Sequence, residues 1–461
     1  MDMIILIPGI TSLLVLARWG LRASFLYVYL PVLLLLPMYF VLRFPHLPPL
    51  TFTDTAILPI GIVLLAQGLP GWRLSWTDFL ILGLALSAGL AEGVNSIAEN
   101  GGLQLFSAIT NIVFPYMIGR QLIEPHGAEP DKAPGTRVLF TRRLVVLLAL
   151  VALISVYDFL SGISTSQLLW SRFFPDQTIE WPQQVRWGFG RIAGPFAQAI
   201  LAGMMFLCGL GYCLWLRRAD AAWGQRRLVA GLPFAVKGLL LTGVIAGLLM
   251  AQSRGPWFGA LMMLGIAWLA RARSVKRGAL ILLALVIAAS AVGIVFGSKY
   301  TAGSRLKAHD EEQENAIYRR ELLDNYLPLV WQRPLTGWGI TSYPSVGGQK
   351  SIDNEYLLLA VTEGLPGLAL FLMISIATCA RLLQLLRGAT NADDRLLLFT
   401  HLGVLVGLLT TVASVYLGLE VQILFYLIVG WIQAMDPNRM AAAPGAVSHL
   451  KSRFCLESVL T

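Results

Sequence analysis

Two short polar motifs carry the residue types from which this chain can build a reaction site. In the first, Gln252-Ser253-Arg254-Gly255-Pro256-Trp257, one guanidinium stands in a tight turn between two apolar runs with no acidic neighbour. A guanidinium stays charged and offers a planar fork of donors that matches phosphate oxygens. The second, Ile352-Asp353-Asn354-Glu355-Tyr356-Leu357, puts two carboxylates, a carboxamide and a phenol at the start of another apolar run. Either carboxylate can take a proton from an attacking hydroxyl. Ionisable groups beside hydrocarbon are costly unless they are paired or face a wet cleft, so both motifs read as functional positions.

Further arginines extend the first motif: Arg186 and Arg191 in RWGFGR, then Arg305, Arg319, Arg320 and Arg333. Together they suit a cleft that binds a diphosphate. The plainer alternative pairs each with Glu311, Glu312, Glu314 or Glu321, or lets it snorkel to headgroups. The second motif has a plain alternative as well. Asp353 precedes an apolar run, as an N-cap does, and Asn354 or Ser351 can cap instead. Asp353 and Tyr356 are three apart and are expected on one helix face. The following Glu363-Gly364-Leu365-Pro366-Gly367 interrupts the run, and Pro366 is expected to kink the helix there.

The elements that must position these groups are membrane helices. The 461 residues are 56% hydrophobic and 13% charged, about half the charged share of a soluble domain. Thirteen apolar stretches, some of them short, fall near 3–17, 24–42, 56–69, 78–93, 103–119, 144–160, 192–216, 234–251, 256–270, 278–297, 354–380, 396–414 and 418–434. The expectation is an all-α polytopic membrane protein of about twelve or thirteen spans with one large exported loop. Its parts are N-terminal helices (1–143), central helices with the outward arginines (144–296), the exported loop (297–352), C-terminal helices (353–434) and a cytoplasmic tail (435–461).

Lys and Arg mark cytoplasmic connections. They gather at Arg120 to Arg143, Arg217 to Arg227, Arg271 to Arg277 and Arg381 to Arg395, which leaves 161–191, 252–255 and 298–353 outside. The net charge of +9 comes largely from these anchors and does not argue for nucleic acid. Cys208, Cys213 and Cys379 lie in apolar helices and Cys455 in the tail, so no disulfide is expected. The first apolar stretch lacks the flanks of a cleaved signal and reads as a retained helix. The two halves do not repeat, which weakens a transporter reading. His46, His126, His309, His401 and His449 are scattered without metal-ligand spacing, and no nucleotide loop is present. No metal or other cofactor is expected.

In the exported loop, residues 309–327 place Ile317, Tyr318, Leu322 and Tyr326 near helical spacing. This reads as an amphipathic helix lying on the membrane surface. The run Arg333-Pro334-Leu335-Thr336-Gly337-Trp338-Gly339 then reads as a turn returning the chain to the membrane.

Taken in order, Ser253-Arg254-Gly255, Tyr318-Arg319, Arg333 to Gly339, Asp353 to Leu357 and Glu363 to Gly367 resemble the O-antigen ligase and polymerase superfamily over roughly residues 186–370. The resemblance implies a metal-independent membrane glycosyltransferase of the GT-C type in the bacterial inner membrane. It would act on undecaprenyl-diphosphate-linked glycans at the periplasmic face. Arg254 looks like the family arginine that holds the donor diphosphate, with Arg191 or Arg186 as its partner. Asn354, Tyr356, Tyr318, Arg319 and Arg320 are then expected to bind substrate. Ligases of the family carry a His just before the Asn that matches Asn354, whereas this chain has Asp353. That departure looks more like the exopolysaccharide polymerase branch and makes Asp353 the expected base, with Glu355 its rival. The implied activity is polymerisation of lipid-linked repeat units. The alternatives are transfer of the finished glycan to lipid A-core and, in another class, transport of a lipid-linked sugar. Expected partners are the lipid-linked oligosaccharide, the bilayer, and a chain-length regulator or flippase of the same pathway.

Overall fold

The computed structural model describes residues 2–44, 48–124, 135–177, 183–220, 222–225, 235–272, 274–284, 300, 301, 303, 305, 311–349 and 351–437. About 74% of the chain is helical, and the protein is an all-α polytopic membrane protein. The helices are α1 (Asp2–Leu35), α2 (Phe52–Ala66), α3 (Trp76–Asn95), α4 (Ala98–Ile123), α5 (Thr136–Ser161), α6 (Thr165–Ser171), α7 (Ala199–Ala219), α8 (Val236–Met250) and α9 (Arg254–Leu269). They continue as α10 (Glu311–Gln332), α11 (Glu355–Thr362), α12 (Gly364–Gly388), α13 (Ala392–Thr411) and α14 (Leu419–Ala434). Seven of the described helices are long and apolar enough to cross a membrane, and α2, α8 and α14 are shorter apolar helices. The stretch expected at 278–297 is described only as far as residue 284, and the tail beyond 437 lies outside the described residues.

Helix α1 is not one rod. Gly20 has a φ of 83°, and the Ser12 and Ser24 hydroxyls lie 2.8 Å apart. Twelve residues of straight helix would separate them by about 18 Å. The chain therefore folds back at Gly20 into two arms, which keeps the two stretches near 3–17 and 24–42 distinct. Arg18 and Arg22 flank the turn.

Basic residues from distant connections collect at one end of the bundle. Arg120 pairs with Asp78, Arg137 with Asp394 at 3.1 Å, Arg142 with Asp220, and Arg218 with Asp393 at 3.1 Å. At the other end, Gln177 exchanges hydrogen bonds with the Val41 backbone at 3.0 and 2.7 Å. Asn95 there donates to the Thr336 carbonyl at 3.3 Å. This separation agrees with the alternation of Lys- and Arg-rich loops along the sequence.

Small residues set the closest helix crossing near the site. A Cβ on Gly259 would lie 2.5 Å from the Gly407 carbonyl, and one on Gly407 would lie 2.6 Å from the Gly259 carbonyl. Helices α9 and α13 thus touch through their backbones, as small residues allow in membrane bundles.

Helix α10 corrects the surface-helix reading. Its face with Ile317, Leu322 and Tyr326 is buried, and Leu322, Tyr326, Leu329 and Val330 pack with Ile352, Leu357, Ala360 and Val361. Protein therefore covers the face expected to meet lipid. Leu323, Leu327 and Trp331, at a spacing of four, are the exposed stripe. Helical period alone cannot say which of two apolar stripes finds a protein partner.

The break after α11 also differs from expectation. It falls at Glu363 and Gly364, where Gly364 has a φ of 75°, and Pro366 sits in the first turn of α12. There a missing N–H costs no intrahelical bond. The carbonyls freed by the break are satisfied by the returning turn: Trp338 N–H donates to Val361 at 2.8 Å and Gly339 N–H to Thr362 at 2.9 Å. Leu365 N–H donates back to Pro334 at 2.7 Å.

Gly337 has a φ of 60°, and a Cβ there would lie 2.3 Å from the Thr362 carbonyl. Gly337→Ala is expected to lose more than about 2 kcal/mol of stability and to lower the thermal midpoint in detergent. Gly388→Ala, with nothing within 4 Å of its Cβ, serves as the control. Equal midpoints for the two variants would contradict the interlock.

Candidate functional site

Four arginines from three separate segments gather near one another, and one of them, Arg319, faces the carboxylate of Asp353. Arg186 and Gly190 belong to a two-stranded hairpin, β1 (Val185–Arg186) and β2 (Phe189–Gly190), turned by Trp187 and Gly188 with φ of 54° and 80°. Arg191 follows directly. Arg254 is the first residue of α9, and Arg319 projects from α10. Asp353 lies just ahead of α11, half-buried, and accepts from the Ser351 hydroxyl at 2.8 Å.

The hairpin is tied to the Ser253-Arg254 turn by its own arginines. Arg186 donates to the Gln252 carbonyl at 3.0 Å, and Arg191 to the Ser253 hydroxyl at 2.7 Å and to the Gln184 side chain. Gln252 itself takes a φ of 47°. A non-glycine residue in that region marks a turn held by its surroundings.

The electrostatics identify which charges face one another. Arg191 is pushed down to about 10, first by burial and then by Arg186 and Arg319, and it stays protonated at neutral pH. Arg319 is also lowered, by desolvation first; Asp353 opposes this, and Arg186 and Arg254 add to it. Burial raises Asp353 above its ordinary value, while the Ser351 hydroxyl and Arg319 draw it back. Arg186, Arg191, Arg254, Arg319 and Asp353 thus share one field. Such a concentration of like charge is unfavourable on its own and is relieved by a bound anion.

Both halves of the site lean on the end of α13. The Thr411 hydroxyl lies 3.3 Å from the Gly255 carbonyl, and Glu355 N–H donates to Val412 at 2.9 Å. The crossing at Gly259 and Gly407 fixes the height at which α9 presents Arg254. Sequence reasoning did not single out Gly407, Thr411 or Val412, since nothing in their types marks them as a support.

Other expected site residues are placed elsewhere. Asn354 is the N-cap of α11, with its side-chain oxygen accepting from Leu357 N–H at 3.0 Å, so Asp353 is free of the capping role. Tyr356 does not share a face with Asp353: its hydroxyl donates to the Leu409 carbonyl at 2.8 Å and its ring meets Phe371. Glu355 is 6% exposed and turns toward α14, accepting from Leu417 N–H at 2.7 Å. Arg320 donates to the Thr301 and Gly303 carbonyls at 2.6 and 3.1 Å. Arg305 pairs with Glu321 at 2.7 Å, and Arg333 stacks on Trp338 and binds Asn95. Tyr318 stays beside the site, donating to the Ser351 carbonyl at 2.7 Å and feeling the charge of Asp353.

Tyr356→Phe is expected to cost about 1 kcal/mol of stability, the worth of one hydrogen bond, and to leave turnover within about twofold. A hundredfold loss of turnover would put the phenol in the chemistry instead.

Among the described residues, no group of His, Cys, Asp and Glu is disposed to hold a metal ion. A cation cluster beside a carboxylate can bind an anion and accept one proton. Residues 238–372 match the family described as O-antigen ligase, which supports placing the chain in the O-antigen ligase and polymerase superfamily. The matched stretch contains Arg254, Arg319 and Asp353. The family supports a membrane enzyme of the glycosyltransferase or ligase type. No curated protein matches the chain.

Proposed function

We propose that the chain is an inner-membrane glycosyltransferase that polymerises glycan repeat units carried on undecaprenyl diphosphate, with its site facing the periplasm. The observation that carries this reading is the gathering of Arg186 and Arg191 on the Ser253-Arg254 turn, with Arg319 between these cations and Asp353. The acceptor hydroxyl attacks the anomeric carbon of the donor sugar, forming a new C–O bond as the bond to phosphate breaks. The leaving lipid diphosphate keeps the electron pair, and its growing charge falls among guanidinium groups already in position. The hydroxyl proton passes to Asp353, whose ionised form is favoured by Arg319. No step calls for a metal ion.

A second reading, transfer of the glycan to lipid A-core, is favoured by the description of the matched family. Both use one donor chemistry and differ in acceptor. The test is single-turnover transfer in nanodiscs with purified undecaprenyl-diphosphate oligosaccharide, with product size read directly. A ladder from the donor alone supports polymerisation. Transfer only after addition of lipid A-core selects the ligase. Movement of the lipid-linked sugar without any new linkage would overturn both.

A further inference from the structure

On the other side of α11 from the arginines, two adjoining cavities of about 250 and 310 Å³ open near the same end of the bundle. They share Gln104, Ser107 and Leu419. Among the described residues no Lys, Arg or His lines either one; Asp54, Glu92, Glu355 and Glu363 do, with the carboxamides of Gln104, Asn111 and Gln422.

Several of these polar groups also have structural tasks. Oδ2 of Asp54 accepts from Thr51 N–H at 2.9 Å and from the Thr51 hydroxyl at 2.7 Å, closing a capping box at the start of α2. Glu92 holds Thr341, and Glu355 holds Leu417 N–H. Oδ1 of Asn111 has no hydrogen-bond partner, although the residue is only 4% exposed. A buried acceptor without a donor is costly, and Asn111 lines space of ligand size.

We infer that this double cavity is a subsite for a neutral, hydroxyl-rich sugar ring of the acceptor glycan. A sugar hydroxyl supplies the donor that Oδ1 of Asn111 lacks, and the carboxyl and carboxamide groups around it offer further hydrogen-bond partners. Phe106 and Tyr416 add apolar surface for the ring faces. No cation among the described lining residues offsets the charge of a uronate or a diphosphate, so an uncharged ring is favoured here and the diphosphate on the arginine side of α11. Asp353, two residues before Glu355, stands between them in the chain. The acceptor assignment rests on the transferase reading above; the sugar-binding assignment does not.

The test measures binding of free N-acetylglucosamine, glucose, galactose and glucuronate to the purified protein in nanodiscs, by saturation-transfer NMR. The parent, Asn111→Leu, Gln104→Leu and Arg254→Ala are compared. At least one neutral sugar is expected to bind the parent and Arg254→Ala alike and to bind about tenfold more weakly to each cavity variant, with glucuronate silent. Gln104 is only half-buried, so Gln104→Leu tests the cavity if Asn111→Leu does not fold. Neutral-sugar binding lost in Arg254→Ala but kept in the cavity variants would overturn the inference, as would no binding by the parent. Binding with the expected pattern in a protein that forms no glycosidic linkage would keep the sugar pocket and reject the transferase.

Discussion

Arg254→Ala is expected to lower single-turnover transfer by about a hundred- to a thousandfold, the loss seen when one preorganised donor is removed from a developing anion. The effect should be large because Arg254 begins α9 at the point where the hairpin arginines and Arg319 converge. Its backbone is held by the contact of Gly255 with Thr411 and by the crossing at Gly259 and Gly407. The guanidinium is thus presented from a rigid helix end. Donor binding should weaken as well, since the ground-state diphosphate already carries charge. Arg254→Lys keeps the charge but not the planar fork, and should recover only part of the loss. Turnover within threefold of the parent for Arg254→Ala would remove this residue from the site and leave it a membrane-interface anchor.

Asp353→Asn is the second large effect, with turnover expected to fall by about a hundred- to ten-thousandfold while donor binding is retained. The carboxamide keeps the shape and still accepts from Ser351, so the change isolates proton transfer. The pH profile provides an independent check. Burial raises Asp353 above the ordinary aspartate value, so its base form is present above that raised value and is lost as pH falls through it. The acid limb of single-turnover rate should therefore lie above the usual aspartate range. Arg319 draws the value down, so Arg319→Ala should move the limb to still higher pH, and Arg319→Lys should largely restore it. A limb that does not move with Arg319 would show that another group titrates. Full turnover by Asp353→Asn would make Asp353 a partner of Arg319 and Ser351 with no part in the chemistry.

Glu355 offers a contrast within the same motif. Its carboxylate is one residue from Asn354 and two from Asp353, yet it faces α14 and satisfies Leu417 N–H. The start of a helix separates neighbours in sequence by large angles, so adjacent polar residues serve different walls. Asn354 closes the helix end, Asp353 faces the cations, and Glu355 lines the cavity behind.

By itself the sequence determined the all-α membrane architecture, since long apolar runs have few other ways to satisfy their backbone in lipid. It also sorted the loops into two groups, through the alternation of Lys- and Arg-rich connections along it. It marked Arg254, Arg319 and Asp353 as candidates because charge beside hydrocarbon is expensive. What only the tertiary structure decided was which of those charges meet. Arg319 and Arg320 are adjacent, but the pitch of α10 turns one toward Asp353 and the other toward the Thr301 carbonyl. Tyr356 was drawn away by the Leu409 carbonyl and Phe371, and α10 turned its expected lipid face onto α11. The support at Gly407, Thr411 and Val412 carried no chemical signature at all. Backbone contact between helices depends on what lies opposite each small residue, and that is a property of the packed bundle.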